Sequence, residues 1–513
     1  MSAQTARFDP LGLAVMSHAV AMIAEDMGSV LMRGALSPNI RERRDASCAL
    51  FDARGRMIAQ AAHIPVHLGA MPESVRAVMA RPYASGDVWI LNDPNHGGSH
   101  LPDLTLVEVI GDGSEVIGFA AVRAHHADVG GMSPGSMPFG ATELVQEGIV
   151  IPPVRLVAGG VPDEALLALL LANVRTPGER RGDLAAQRAA CATGAAGWRA
   201  LRARVGASAL DAAAGALLDY AERRASARLE EVGVRRGFAE DALEGDGVTD
   251  APVPLRVEVA ITASGRLQLD FTGTSPRVRG NVNCPVQVTR AASLFVLRTL
   301  LADDVPTNEG IARVIDLKVP DDSCISARWP AAVAAGNVEM SQRITDLLFA
   351  ALADAGVPVI AQGQGTMNNV TFGGAGWTFY ETLGGGQGAS AVGAGPSAVH
   401  VGMSNTRNTP IESLERAYPM EIERYAIRRG SGGKGKHAGG DGVVRRYRVL
   451  EYCTVTLLTE RRHRAPTGAM GGRPGAPGRN LLNGTEVPAK CRLQLQPGDV
   501  LTIETPGGGG WGG

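Results

Sequence analysis

His100 and Asp103, in LNDPNHGGSHLPDLTLVEVI, and His125 and His126, in EVIGFAAVRAHH, carry the densest chemistry in the sequence. Imidazole nitrogen and carboxylate oxygen together make the ligand set of a borderline divalent ion such as zinc, manganese or iron. Whether these groups meet depends on the chain between them. Gly111-Asp112-Gly113 has the composition of a hairpin turn, so the flanking strands are expected to pair antiparallel, with partner numbers summing to roughly 225. His100 then faces His125 or His126, because opposed residues in such a ladder lie about 4.5–5.5 Å apart. Asp103, past the Leu101-Pro102 step, turns into the same space. Singly, each histidine reads as a polar loop residue, with His126 capping a strand and Asp93 opening an Asx turn. Together they read as a metal site. Glu42 and Asp45, in RERRD, compete for a fourth position, against the plainer reading of a solvated charge cluster.

Three other stretches carry polar chemistry. GNVEMSQRITD puts Asn337, Glu339, Ser341, Gln342 and Arg343 at the start of an apolar helix, where an anionic group of a substrate is attracted, or where the residues simply cap the helix. Gly430-SGGK-Gly435-Lys436 has phosphate-loop spacing, but His437 stands where Ser or Thr should hold magnesium and AGGDG follows in place of a helix. The chain is therefore not expected to bind a nucleotide by itself. GQGTMNN and ETLGGGQGAS are polar and flexible, suited to a cleft or to sheet corners.

The elements that position these groups follow from periodicity. Pro10 opens a helix whose apolar residues recur at steps of three and four and which should stop before Ser37. SCALFD and RMIAQ form a hairpin about residues 52–55, a short helix starts near Pro72, and GDVWILND is a strand. Residues 163–234 read as a helical layer, RGFAEDALEGDGVTDAPVP as a linker, and LRVEVAIT and RLQLDFTG as strands. Helices are expected near 285–302 and 338–355. TPGGGGWGG has no apolar periodicity and reads as a flexible end. The expected organisation is an α/β metal-binding region (1–160), a helical layer (161–245) and a glycine-rich α+β region (246–513).

With 513 residues the chain exceeds one ordinary core, so several lobes are expected. A formal net charge of −2 and 4% aromatics give neither the basic footprint nor the stacking platforms of a nucleic-acid binder. Six scattered cysteines without a CxxC pair suit reduced thiols in the cytoplasm. No run of about 18 uncharged apolar residues occurs, so no membrane contact is expected.

SPNIRERRDASCALFD, HIPVHLGAMPESV, GDVWILNDPNHGGSHLPD, RAHHADVGG, PGSMP, QEGIVIPPV, GNVEMSQRITD and TPGGGGWGG, in this order and nearly end to end, resemble the hydantoinase B/5-oxoprolinase family. The resemblance implies an α+β fold, multi-lobed, with mixed and antiparallel sheets. It implies metal ligands at His100, Asp103 and His125, with an acidic residue from ERRD, most simply Glu42. It implies a B-type subunit of an ATP-dependent cyclic amide hydrolase (hydantoinase, oxoprolinase or lactamase), forming a hetero-oligomer with an A-type subunit that uses ATP. The partner phosphorylates the amide oxygen; the metal of this chain generates hydroxide, for which the pKa of bound water falls to about 7. His126 is the candidate to move the proton and Asp93 a second catalytic candidate, with Asn337, Glu339 and Arg343 for the substrate. The α subunit of an acetone-type carboxylase and a non-catalytic partner subunit are the alternatives.

Overall fold

The computed structural model describes residues 9–62 and 64–513. Its first lobe is built around the expected hairpin. Strands Asp103–Asp112 and Glu115–His125 are joined by a two-residue turn in which Gly113 takes φ 62°, and Asp112 pairs with Glu115. The turn falls at Gly113-Ser114, later than expected, and a register shift between Ile110 and Gly111 adds one residue more, so that Asp103, not His100, lies opposite His125. The hairpin is the centre of a seven-stranded antiparallel sheet. Ala46–Asp52 and then Met57–Ala62 extend it on one side; Val88–Leu91, Val154–Ala158 and Val161–Pro162 extend it on the other.

Side chains alternate across a strand, and the two faces are buried differently. Even-numbered Leu104, Leu106, Ala120 and Val122 pack with helices Pro10–Gly34 and Pro177–Val205. Odd-numbered Val107, Val109, Phe119 and Ala121 pack with helix Met71–Met79. Asp9 caps the first helix by accepting from the Gly12 amide, and the expected stop before Ser37 is found at Gly34. Although this helix is long and apolar enough by composition to cross a bilayer, it buries Met16, Val20, Ala24, Met27 and Leu31 against the lobe. Helices Glu164–Ala172, Pro177–Val205 and Ala207–Val232 form the expected helical layer.

The stretch expected as a linker is a strand. Arg235–Leu243 pairs with Val253–Ile261; Gly237, Ala239 and Leu243 are buried on one side while Arg236, Phe238 and Glu240 stay outside. Leu267–Asp270 and Ile315–Lys318 complete this four-stranded sheet, and helices Val286–Leu300 and Ser341–Asp354 pack with it. Two further sheets follow. One joins Trp377–Glu381, Asn369–Gly374, Cys453–Leu458 and Lys490–Leu495; the other joins Met420–Arg428, Gly442–Val449, Val500–Glu504, Arg479–Leu482 and Thr485–Val487.

TPGGGGWGG is not a loose end. Residues 505–510 are buried, and successive backbones bond to different neighbours: Gly508 to Gly433 and Gly440, Gly509 to Gln362 and Ala389, Gly510 to Ala469 and Arg473. Trp511 returns to His437, as Pro506 had bonded to Gly386. Neighbours thus recur with the three-residue period of an extended polyproline-type helix. The strand is held by backbone alone, which is why apolar periodicity gave no sign of it. The phosphate-loop-like stretch at Gly430 is a wall of the same bundle, with the Gly433 amide committed to Gly508 O at 2.8 Å.

Candidate metal centre

The end of the central hairpin gathers His100, Asp103 and His125, each buried, with one potential ligand atom apiece and all three atoms within 4.8 Å of one another. Asp103 and His125 meet as ladder partners; His100 comes from the turn before the strand, where the Asp103 amide donates to its carbonyl. His100 Nε2 lies 3.2 Å from Asp103 Oδ1. The rings of His100 and His125 stand 5.1 Å apart, and His125 stacks on Tyr380 at 4.6 Å. Nε2 of His100 and of His125 is buried without a hydrogen-bond partner. Buried polar atoms are seldom left so, and two imidazole nitrogens beside a carboxylate fit a divalent cation.

Surrounding groups hold these three in place. Asp103 Oδ2 accepts from Ser99 Oγ at 2.5 Å and from Asn337 Nδ2 at 3.3 Å. His100 Nδ1 sits 3.3 Å from Ala334 O, the natural arrangement for an imidazole whose other nitrogen binds a metal. That carbonyl is fixed in turn by Glu147, whose carboxyl accepts from the Val333 and Ala334 amides. Burial pushes the Glu147 carboxyl up to about 8, against the pull of those two amides. Asn39 Nδ2 lies 3.2 Å from His125 Nδ1, and Arg43 NH1 donates to Asn39 Oδ1.

Burial opposes a charged His100, yet Asp103 raises its imidazole above the ordinary value. Burial opposes a charged Asp103, yet His100 and His67 hold its carboxyl well below the usual range. Burial, helped by His100, keeps His125 far below an ordinary histidine, so the ring is neutral as a ligand must be.

Several expected residues lie elsewhere. Asp45 lies beside the group: its carbonyl accepts from the His125 amide, it is buried, and its carboxyl feels Arg43, His67, Asp103 and His100. Burial raises that carboxyl from its ordinary value, ahead of the opposing pull of Arg43. Glu42 ends the short helix Pro38–Arg41 with one oxygen 3.9 Å from Arg41 and the other, Oε2, buried without a hydrogen-bond partner. His126, expected to move the proton, points to the opposite face, because adjacent strand residues alternate. Its Nε2 meets Gln187 at 2.8 Å, and burial, with Arg180, lowers it to about 4. Asp93 is a cap: its oxygens serve the Asn95 amide, the Asn95 side chain and His96. Asn337 joins the site. Glu339 lies behind it, accepting from Thr366, Met367 and Asn369, the last also bonded by the Tyr380 hydroxyl. Arg343 is committed to Asp241, Ala242 O and Glu460 and offers no free fork to a substrate.

One histidine escaped the sequence reading. His67, in HIPVHLGAM, is buried in a 3-10 turn, with Nδ1 3.1 Å from Ser47 Oγ and a partnerless Nε2 3.5 Å from Asp103 Oδ2.

The solved structure of an ATP-dependent caprolactamase from Pseudomonas jessenii superposes with a TM-score of 0.91 over 99% of this chain and 91% of that one, at 27% identity. The 5-oxoprolinase 1 of Arabidopsis thaliana is 38% identical over 98% of this chain, which spans 42% of that protein's length. A putative D-/L-hydantoinase B-type subunit of Pseudomonas sp. is 29% identical over 99% of this chain and 90% of its own. With residues 9–513 matching the family's model, the chain belongs to the Hydantoinase B/oxoprolinase family.

Proposed function

We propose that this chain is the metal-bearing subunit of a cytoplasmic, ATP-dependent cyclic amide hydrolase, opening a ring that an A-type partner has activated with ATP. The observation that carries the reading is the convergence of His100, Asp103 and His125 with partnerless Nε2 atoms in a buried site. Glu42, whose Oε2 is buried without a hydrogen-bond partner, is the fourth ligand. The names of relatives support the reaction class: a caprolactamase that is ATP-dependent and a B-type subunit of a hydantoinase, the latter implying a second subunit. Six free, buried cysteines suit a reducing compartment.

A bound zinc, manganese or iron ion would supply Lewis acidity, bringing the pKa of a water to about 7. The chain's own residues do the rest. His67 takes the part expected of His126, moving a proton at Nε2 while Ser47 fixes its other nitrogen. Asn337 keeps Asp103 oriented and presents a buried, partnerless Oδ1 as an acceptor for the amide N–H of a substrate. Burial of the whole group excludes bulk water, so an activated amide is not lost to side reactions.

Elemental analysis of the purified chain tests the metal, and a panel of hydantoins, lactams and 5-oxoproline tests the reaction with the A-type partner present. The expected result is close to one divalent transition metal per chain, its loss in the double variant His100→Ala/His125→Ala, and ring opening only with ATP and partner. Metal-free wild type, or unchanged metal in the double variant, refutes the site. ATP-dependent turnover by the isolated chain refutes the division of labour.

A further inference from the structure

Away from the metal centre, a cavity of about 220 Å³ lies between helices Met71–Met79 and Val286–Leu300 and the segment 309–317. Its floor is apolar, made by Met57, Leu68, Leu294, Ile311, Ile315 and Leu317. Its rim carries Glu73, Glu309, Arg76, Arg290 and Arg298.

The rim's charges are unequally used. Glu73 is held by Arg76 and Arg290. Glu309 is held by Arg76 and by the Met57 amide. Both carboxylates are therefore spent. Arg290 commits only NH1, to Glu73, and Arg298 donates only to main-chain oxygens of Ala302 and Asp303, meeting no carboxylate among the described residues. What remains at the mouth is donor capacity with positive charge above an apolar floor. A concave apolar space with a few convergent polar groups is the usual form of a small-ligand site, and an arginine fork matches a carboxylate.

We infer that this cavity is a binding site for a small amphiphilic monocarboxylate, its chain on Leu68, Leu294 and Ile311 and its carboxylate at Arg298 and Arg290. The site adjoins the metal centre through the chain itself. Leu68 follows His67, and helix Val286–Leu300 packs on the turn Pro65–His67. A ligand seated there bears on the element that aims His67 at Asp103.

Calorimetric titration of the full chain with hexanoate tests this without metal, ATP or partner, so the result stands apart from the ring-opening reading. One saturable site with a Kd of about 1 mM or tighter is expected. 1-Hexanol, which keeps the chain and drops the charge, should bind at least about tenfold more weakly, a difference of about 1.4 kcal/mol. Sulfate, charge without an apolar body, should not compete. Ala312→Phe, which grows into the cavity from its lining, should abolish binding, and Arg298→Gln should weaken it about tenfold. Absence of saturable hexanoate binding overturns the inference, as does unchanged affinity in Arg298→Gln, which decides the matter even if Ala312→Phe does not fold.

Discussion

Glu339→Gln should flatten the decline of stability with rising pH. Glu339 is fully buried, and burial, reinforced by the Glu460 carboxylate, raises its carboxyl from 4.5 to about 8. In the unfolded chain the same group ionises near its ordinary value of 4.5. The folded protein therefore holds a proton that the unfolded chain has released, and stability falls as pH climbs from the unfolded value towards the folded one. Between pH 6 and pH 8 the unfolded group is ionised throughout and the folded group only half so at the end. At about 1.4 kcal/mol per pH unit the loss over that span is about 2 kcal/mol. Glutamine keeps an oxygen to accept from Thr366, Met367 and Asn369 and cannot ionise. Denaturant unfolding of wild type and Glu339→Gln at pH 6, 7 and 8 gives two slopes, and their difference isolates this residue from other titrating groups. Equal slopes refute the argument, since they mean that Glu339 is charged in the fold or that its proton is not coupled to folding.

Glu42→Gln should empty the metal site while Asp45→Asn leaves it filled, measured as metal per chain after dialysis; the reverse order gives the ligand to Asp45. Asn39→Leu should weaken metal binding about 10–100-fold, because it removes the polar group that sits against His125 Nδ1; a chelator competition assay reads it. In the reconstituted enzyme His67→Gln should cost about 10²–10⁴ in kcat, with His126→Gln far milder; equal losses would contradict the assignment of the proton to His67. Gly508→Ala would put a methyl carbon 2.1 Å from Gln387 O and should destabilise by about 3 kcal/mol or more. Gly215→Ala, in open space on helix Ala207–Val232, should stabilise by up to about 1 kcal/mol; thermal melts of the two variants separate a crowded glycine from a free one.

His100, Asp103 and His125 were legible in the sequence because a local signal, a glycine turn between two apolar strands, brings them together. The exact register was not, since the shift at Ile110 and Gly111 leaves no mark in residue type. His126 points away from the cluster for a reason the sequence did contain: successive residues at a strand end face opposite sides. Asp45 and His67 lie beside the cluster through contacts between distant segments, Ala46 pairing with Ala124 and the turn Pro65–His67 seated on helix Val286–Leu300, and no spacing rule predicts those. Arg343 looked like an anion ligand because helix starts attract anions; its partners Asp241 and Glu460 lie more than 100 residues away. Arg235–Leu243 shows alternation masked by charged residues on its open side, hence its reading as a linker.

The glycine bundle also sets an order of assembly. Its walls, around 362, 386–389, 433–440 and 469–476, bond through the strand 506–511, which follows all of them in the chain. The walls also bond to one another, as Gly440 does to Gln387 and Arg473 to Lys434, but the amides and carbonyls that face this strand stay uncommitted until it is made. Glycine surrenders the most backbone freedom on ordering, so partial bundles have little to hold them. Closure is therefore a late, concerted event spanning nearly 150 residues of intervening chain. Folding of this region should proceed after translation of residue 511, leaving a long glycine-rich stretch open to proteases and in need of shelter until the moment it zips shut.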